Sequence, residues 1–238
     1  MKERLYVIFF VIVLGLVAAA VLTVANSVLY PKYKENVERE AKGNVLIALG
    51  IPGWDKARVK TATIEEIKAT FSKYIVAVHE GKALARGEEL PPGVEPDFYE
   101  GYRDEAHADF IGYAFKITGP GFWDRISGYL AVDADLKEVI GITFYEDSET
   151  PGLGHKINDE AWQRAQWIER GEEKRGVSLY RPGTEEPWIG ITPAAPGKPA
   201  NEVDAISGAT ETSGALQKFM NAQLAVFIEK VNAYREAR

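Results

Sequence analysis

The chain has 238 residues, 46% hydrophobic and 26% charged, which is a globular composition with room for one large core or two small ones. Its formal net charge is −7, and the acid excess grows once the N-terminal stretch is set aside, which argues against nucleic acid as a partner. There is no cysteine and there are three scattered histidines, His79, His107 and His155; disulfides and thiolate-held metals or iron–sulfur clusters are excluded, and no metal site is expected.

From Leu5 to Ala25 the chain carries no charge. A helix over that stretch, rising 1.5 Å per residue, crosses the roughly 30 Å hydrocarbon layer of a bilayer. The run exceeds the apolar core of a cleavable signal peptide, so an uncleaved single-pass anchor in lipid is expected. Lys2 and Arg4 precede the span, and Lys32, Lys34 and Arg39 follow it. A short basic N-terminus favours an inner (plasma) membrane anchor with the soluble domain on the extracytoplasmic, periplasmic side. Residues 1–30 thus form the cytoplasmic tip and anchor, 31–60 a stalk and docking helix, and 61–238 the extracytoplasmic domain. Val45 to Leu49 read as the docking end of the stalk helix.

Thr63 and Glu66 form a capping box, and Ile64, Ile67, Phe71, Ile75 and Val78 continue at helical spacing, which predicts a helix ending near Gly81. Residues 87–104 read as a loop. Phe110 to Thr118, Ile126 to Val132 and Val139 to Tyr145 read as strands, joined by the aromatic turn Gly119–Trp123 and the turn Asp133–Asp135. Such short connections imply an antiparallel meander. Residues 146–154 then form a loop ending Glu149-Thr150-Pro151-Gly152-Leu153-Gly154. Asn158 to Arg170 reads as a helix with Trp162 and Trp167 as packers and Gly171 as its stop. Val177–Tyr180 and Trp188–Thr192 read as short strands, with a Pro-rich loop after them. From Ser213 onward, Leu216, Phe219, Met220, Leu224, Phe227, Val231 and Tyr234 mark a long helix packed on the sheet. The fold class is α+β: an N-terminal transmembrane helix, then a domain of antiparallel sheet and packed helices.

Two stretches carry the chemistry. Asp204 to Ser213 holds Ser207, Thr210, Thr212 and Ser213 beside Gly208, where an extended segment enters a helix. The free amides of a first helical turn favour an anion, and hydroxyls there can add donors. The same hydroxyls also suit ordinary N-capping. The loop Glu149 to Gly154 exposes backbone amides and one apolar side chain, Leu153; it is equally compatible with a plain tight turn. Hydrolytic readings find no support. Ser207 has no histidine nearby and no G-x-S-x-G elbow. The chain has neither a G-x-G-x-x-G nor a Walker A pattern. A threonine hydroxyl without an adjacent base is a poor nucleophile, so any covalent use of Thr210 falls to another enzyme, and no catalytic residue is assigned.

Asp204-x-x-Ser207-Gly208-Ala209-Thr210-x-Thr212 resembles the flavinylation motif of the FMN-binding domain family, and Glu149 to Gly154 resembles the glycine loop upstream of it in such domains. Together with the anchor, the aromatic turn and the Trp-containing helix, the chain is similar to the membrane-anchored C and G subunits of Nqr-type (sodium-translocating NADH:quinone reductase) and Rnf-type complexes. The resemblance implies FMN esterified through its phosphate to Thr210 by a flavin transferase of the ApbE type, with FAD as the source. It further implies contacts from Ser207, Gly208, Ala209 and Thr212 around the phosphate and ribityl chain, and Asp204 for presentation to the transferase. Glu149, Thr150, Gly152 and Gly154 would line the isoalloxazine edge, Leu153 would pack on its face, and Trp123 would either stack on it or pack in the core. Glu211 places an acid beside the phosphate, offset by the helix dipole. The implied role is electron transfer beside the other membrane subunits of such a complex. An anchored assembly or regulatory domain, or a standalone extracytoplasmic flavoprotein, remains the alternative.

Overall fold

A computed structural model describes the backbone of residues 2–91, 93–170 and 174–238, with the side chains of residues 2 and 3 left aside. The chain divides into two compact units, Met1–Glu40 and Ala41–Arg238. Helix α1 runs over Lys2–Ala48. It is long and apolar enough to cross a membrane, and its apolar window is not buried against protein. The large side chains from Leu5 to Tyr30 stand exposed. An apolar face of that extent in a soluble chain would be driven to cover itself, so its exposure supports membrane association.

In the second unit, a six-stranded sheet runs in the order β2-β1-β3-β4-β5-β6. The strands are β1 (Ile75–His79), β2 (Lys82–Ala83), β3 (Phe98–Tyr102), β4 (Phe110–Pro120), β5 (Arg125–Asp133) and β6 (Val139–Glu146). Every neighbouring pair is antiparallel. The three central strands match the expected meander. Side chains alternate across β4: Tyr113, Phe115 and Ile117 enter one apolar cluster, while Ala114 enters another on the opposite face.

The first cluster packs the sheet against α5 (Thr210–Glu236). Phe227 stacks on Phe115 at 4.1 Å between ring centres, and Phe98 meets Phe227 and Tyr234 edge to face. Leu216, Met220, Leu224 and Val231 are almost fully buried, as the stripe predicts. The second cluster joins the end of α1 (Val45, Leu46, Ala48) and the following Leu49 to α2 (Lys56–Thr61), α3 (Ile64–Tyr74) and the sheet's other face. Residues 45–49 therefore dock on the domain as the sequence suggests.

The capping box closes α3 as expected: Thr63 Oγ1 accepts from the Glu66 amide at 3.2 Å, and Glu66 Oε2 accepts from the Thr63 amide at 3.1 Å. The helix nevertheless ends at Tyr74, not near Gly81. Ile75 to His79 form β1, of which Ile75 to Val78 pair with Phe98 to Gly101. The β-branched Ile75, Val76 and Val78 suit a pleated surface better than a last helical turn. For the same reason residues 87–104 are not loop throughout, since the aromatic segment at 98–102 is β3. The helix after the glycine loop splits into α4 (Glu160–Gln163) and a π-helical turn, Arg164–Ile168, which buries Trp167 fully. Gly171, its expected stop, lies outside the described residues. Residues 177–180 form isolated bridges, Ser178 to Glu138 and Tyr180 to Pro187, instead of a strand. β7 (Gly190–Thr192) and β8 (Glu202–Asp204) make a separate parallel pair leading into α5. The N-terminus of α5 starts at Thr210, one turn earlier than its apolar stripe indicates.

Asp97 ties the β1–β2 turn to α5: its carboxylate accepts from the Glu80 amide at 2.7 Å and pairs with Lys230. Burial raises this carboxyl, but the Lys230 and Glu80 bonds outweigh it and hold it below the usual carboxylate range. A depressed folded-state value contributes stability above the unfolded-state value, and the contribution is lost as pH falls through the folded one. Asp97→Asn should therefore cost about 1 kcal/mol at neutral pH. The gap between variant and parent should close below about pH 4, as read by urea denaturation across pH.

Candidate functional site

Three segments that are distant in sequence converge at the start of α5. β8 delivers Asp204, the chain turns through Ser207 and Gly208, and α5 opens at Thr210. Its N-cap residue, Ala209, makes no side-chain capping bond. The hydroxyls that could have capped it point elsewhere. Ser213 Oγ accepts from the Ile206 amide at 3.1 Å, and Thr212 Oγ1 donates to Glu149 Oε2 at 2.6 Å. Ser207, Gly208, Thr210 and Glu211 are exposed, whereas Thr212 and Ser213 are buried. No helix carbonyl reaches the first amides of a helix, so this turn presents its positive end and the Thr210 hydroxyl to solvent together.

Glu149 joins the three segments. It is 4% exposed. Its Oε1 accepts from the amides of Phe122 at 2.7 Å and Trp123 at 3.2 Å, and its Oε2 accepts from Thr212. Glycines make the approach possible. A Cβ on Gly121 would run into Oε1, and one on Gly154 would sit 2.6 Å from both Oε2 and Thr212 Oγ1. The glycine loop is thus the physical neighbour of the hydroxyl motif, as the sequence suggests. Leu153 reaches across as well: a Cβ on Gly208, itself at φ +78°, would meet Leu153 Cδ2 at 2.9 Å.

The loop between β6 and α4 is braced from within. Asp147, with a side chain 3% exposed, bonds His155 Nδ1 at 2.9 Å and accepts from Asn158 and from the Glu149 amide. The carbonyl of Thr150 accepts from the amides of Leu153 and His155. Gly152 turns the chain at φ +77°. The Thr150 hydroxyl accepts from Trp123 Nε1 at 3.0 Å. Trp123 is not a core residue: it is 66% exposed, next to Phe122 at 54% and Leu153 at 41%. It stands at the rim as an open apolar surface.

Asp204 turns away from the helix start. It pairs with Lys198 Nζ at 2.7 Å, and that ammonium also donates to the carbonyls of Thr192 and Val203. Its amide donates to Gln166 Oε1 at 3.0 Å, from the π-helical turn. Arg170 donates to the Ala200 carbonyl, and burial lowers its guanidinium while Asp204 pulls it back up. Lys198, Gln166, Asp147 and His155 were invisible to motif reasoning, because their role lies in tertiary pairing.

The structure therefore brings together Ser207, Gly208, Ala209, Thr210 and Thr212 with Glu149, Leu153 and Gly154, and sets Thr150 and Trp123 at the edge. Two members differ from the expected contacts. The hydroxyl proton of Thr212 is committed to Glu149, so it is not a phosphate donor in this arrangement, and the Glu149 carboxylate faces inward as a strut. A phosphate-linked mononucleotide fits what remains: an uncapped helix start, an exposed hydroxyl on its first residue, and a glycine loop across from it.

Residues 121–225 match the family model of the FMN-binding domain. The chain is also similar to C subunits of Na(+)-translocating NADH-quinone reductase. It is 40% identical to the C subunit from Yersinia pestis over 106 residues, 44% of this chain and 36% of the relative, so that alignment spans little more than a third of the relative's length. It is 28% identical to the C subunit from Pasteurella multocida over 228 residues, covering 85% of this chain and 83% of the relative. The fold matches the crystal structure of Shewanella oneidensis NqrC, with a TM-score of 0.61 at 20% identity over 84% of this chain and 98% of that one.

Gly154→Ala should destabilise the chain by roughly 1–3 kcal/mol through overpacking, since neither Glu149 nor Thr212 can retreat without breaking its bond. Thermal unfolding of the variant against the parent checks this; an unchanged midpoint would contradict the packing described.

Proposed function

We propose that this chain is an electron-transfer subunit that carries FMN bound covalently through Thr210, within a membrane-bound, redox-driven ion-translocating complex. Relatives named as C subunits of a Na(+)-translocating NADH-quinone reductase support the Nqr type over the Rnf type. The observation that carries the reading is the first turn of α5: among the described residues no side chain caps it, and its first residue is an exposed threonine. A phosphate ester there would lie on free amides and the positive helix end. Ser207 would add a donor. Gly208 and Ala209 would leave room for the ribityl chain. Gly152 and Gly154 would supply backbone edges, with Leu153 and Trp123 as the apolar surfaces beside the ring.

The flavin supplies reversible electron uptake when bound; the protein fixes its position. Ester attachment keeps a mononucleotide from diffusing away on the extracytoplasmic side, where the anchor at residues 5–25 would hold the domain beside partner membrane subunits. Attachment itself falls to a flavin transferase of the ApbE type, because among the described residues no side chain hydrogen-bonds the Thr210 hydroxyl to activate it. Asp204, held by Lys198, would present the segment to that enzyme.

Expressed with such a transferase, the chain should gain the mass of one FMN phosphoester and show flavin fluorescence after denaturing electrophoresis. Thr210→Val should lose both with its fold intact. An unmodified parent chain, or a fluorescent Thr210→Val, contradicts the proposal.

A further inference from the structure

Glu149 accepts three hydrogen bonds, from two backbone amides and one hydroxyl, and its donors are all neutral. It is 4% exposed. Among the described residues no lysine, arginine or histidine is ion-paired with it; the neighbouring His155 is taken by Asp147. A buried carboxylate satisfied only by dipoles keeps most of its field, because each fixed dipole stabilises the charge and offsets only part of it. That charge sits where three walls meet. The aromatic turn bonds one oxygen, the first turn of α5 bonds the other through Thr212, and the backbone of Gly154 lies against both Oε2 and Thr212.

We propose that Glu149 is a positioning residue that sets the electron affinity of the flavin site, its buried carboxylate opposing the arrival of negative charge there. The inference rests on the reading that FMN is carried at Thr210. One electron delivered to the isoalloxazine adds one negative charge unless a proton from solvent accompanies it. The carboxylate raises the cost of the unaccompanied electron, holds the midpoint potential down, and favours uptake with the proton. A unit charge within about 10 Å, at an effective dielectric constant of about 20, shifts such an equilibrium roughly ten-fold. The uncapped helix start pulls the other way, so its positive end and Glu149 set the balance together.

The test is a reductive titration of the full-length flavinylated chain in detergent, with dithionite as reductant and mediator dyes to report potential. Glu149→Gln keeps the shape and the acceptor facing Phe122 and Trp123 but removes the charge. The reduced-to-oxidised ratio at a fixed ambient potential should rise roughly ten-fold, which for a one-electron couple is about 59 mV. A purely structural role would alter unfolding and leave the potential alone. Thr212→Val is the second variant, for the case in which Glu149→Gln does not fold. It keeps the charge and removes a donor that stabilises it, so the ratio should move in the opposite direction by more than two-fold. A loaded parent chain whose ratio moves less than two-fold in the folded variant overturns this inference alone. A parent chain without FMN on the polypeptide overturns the functional reading and this inference with it.

Discussion

The bond network of the Glu149 carboxylate is the constraint on which the site depends. The aromatic turn, 26 and 27 positions before it, and the start of α5, 63 positions after it, meet on its two oxygens. Burying a carboxylate is costly unless its lone pairs are satisfied, and here two amides and one hydroxyl satisfy them. Each donor comes from a different wall or a different residue of one wall, so the cost of burial is offset only when all walls are in place. That makes the local geometry cooperative. The aromatic turn, the glycine loop and the start of α5 hold each other, and Gly121 and Gly154 are the positions at which any side chain would break the arrangement.

The same bond explains the state of the helix start. Thr212 is the residue type and sits in the place that could support a first turn with its hydroxyl, yet that hydroxyl faces Glu149, and Ser213 serves Ile206. The first turn of α5 is left without a side-chain cap. A helix this long, with a fully buried stripe against β4, can tolerate an open end whose cap would contribute about 1 kcal/mol. The scaffold thus supplies the stability, and the end of the helix is free for an anion.

Much of the scaffold was legible because it rests on local pattern. The apolar run from Leu5, the capping box at Thr63, the three central strands and the stripe of α5 all follow from periodicity and caps. The failures share one cause. Ile75 to Val78 fit a helical spacing and a strand alike, and the pairing with β3 decided between them. Phe98 to Tyr102 lay hidden in a stretch of Gly, Pro and Glu, and their pairing with β1 and β4 decided for a strand. At the site, the two motifs were readable as motifs, but the directions of their side chains were not. Thr212 and Asp204 turn toward Glu149 and Lys198, and a pairing of that kind leaves no trace in spacing. Trp123 illustrates the same limit: its residue type suits core or rim equally, and the tertiary structure places it at the rim.

The central claim is that one residue, the exposed threonine at the uncapped start of α5, carries the flavin phosphate. Peptide mapping by tandem mass spectrometry, on the full-length chain expressed with its flavin transferase, tests this most directly. The account predicts a single FMN-bearing peptide, with fragment ions that place the modification on Thr210 and leave Ser207, Thr212 and Ser213 unmodified. FMN on any other residue, or flavin released intact by denaturation, would contradict it.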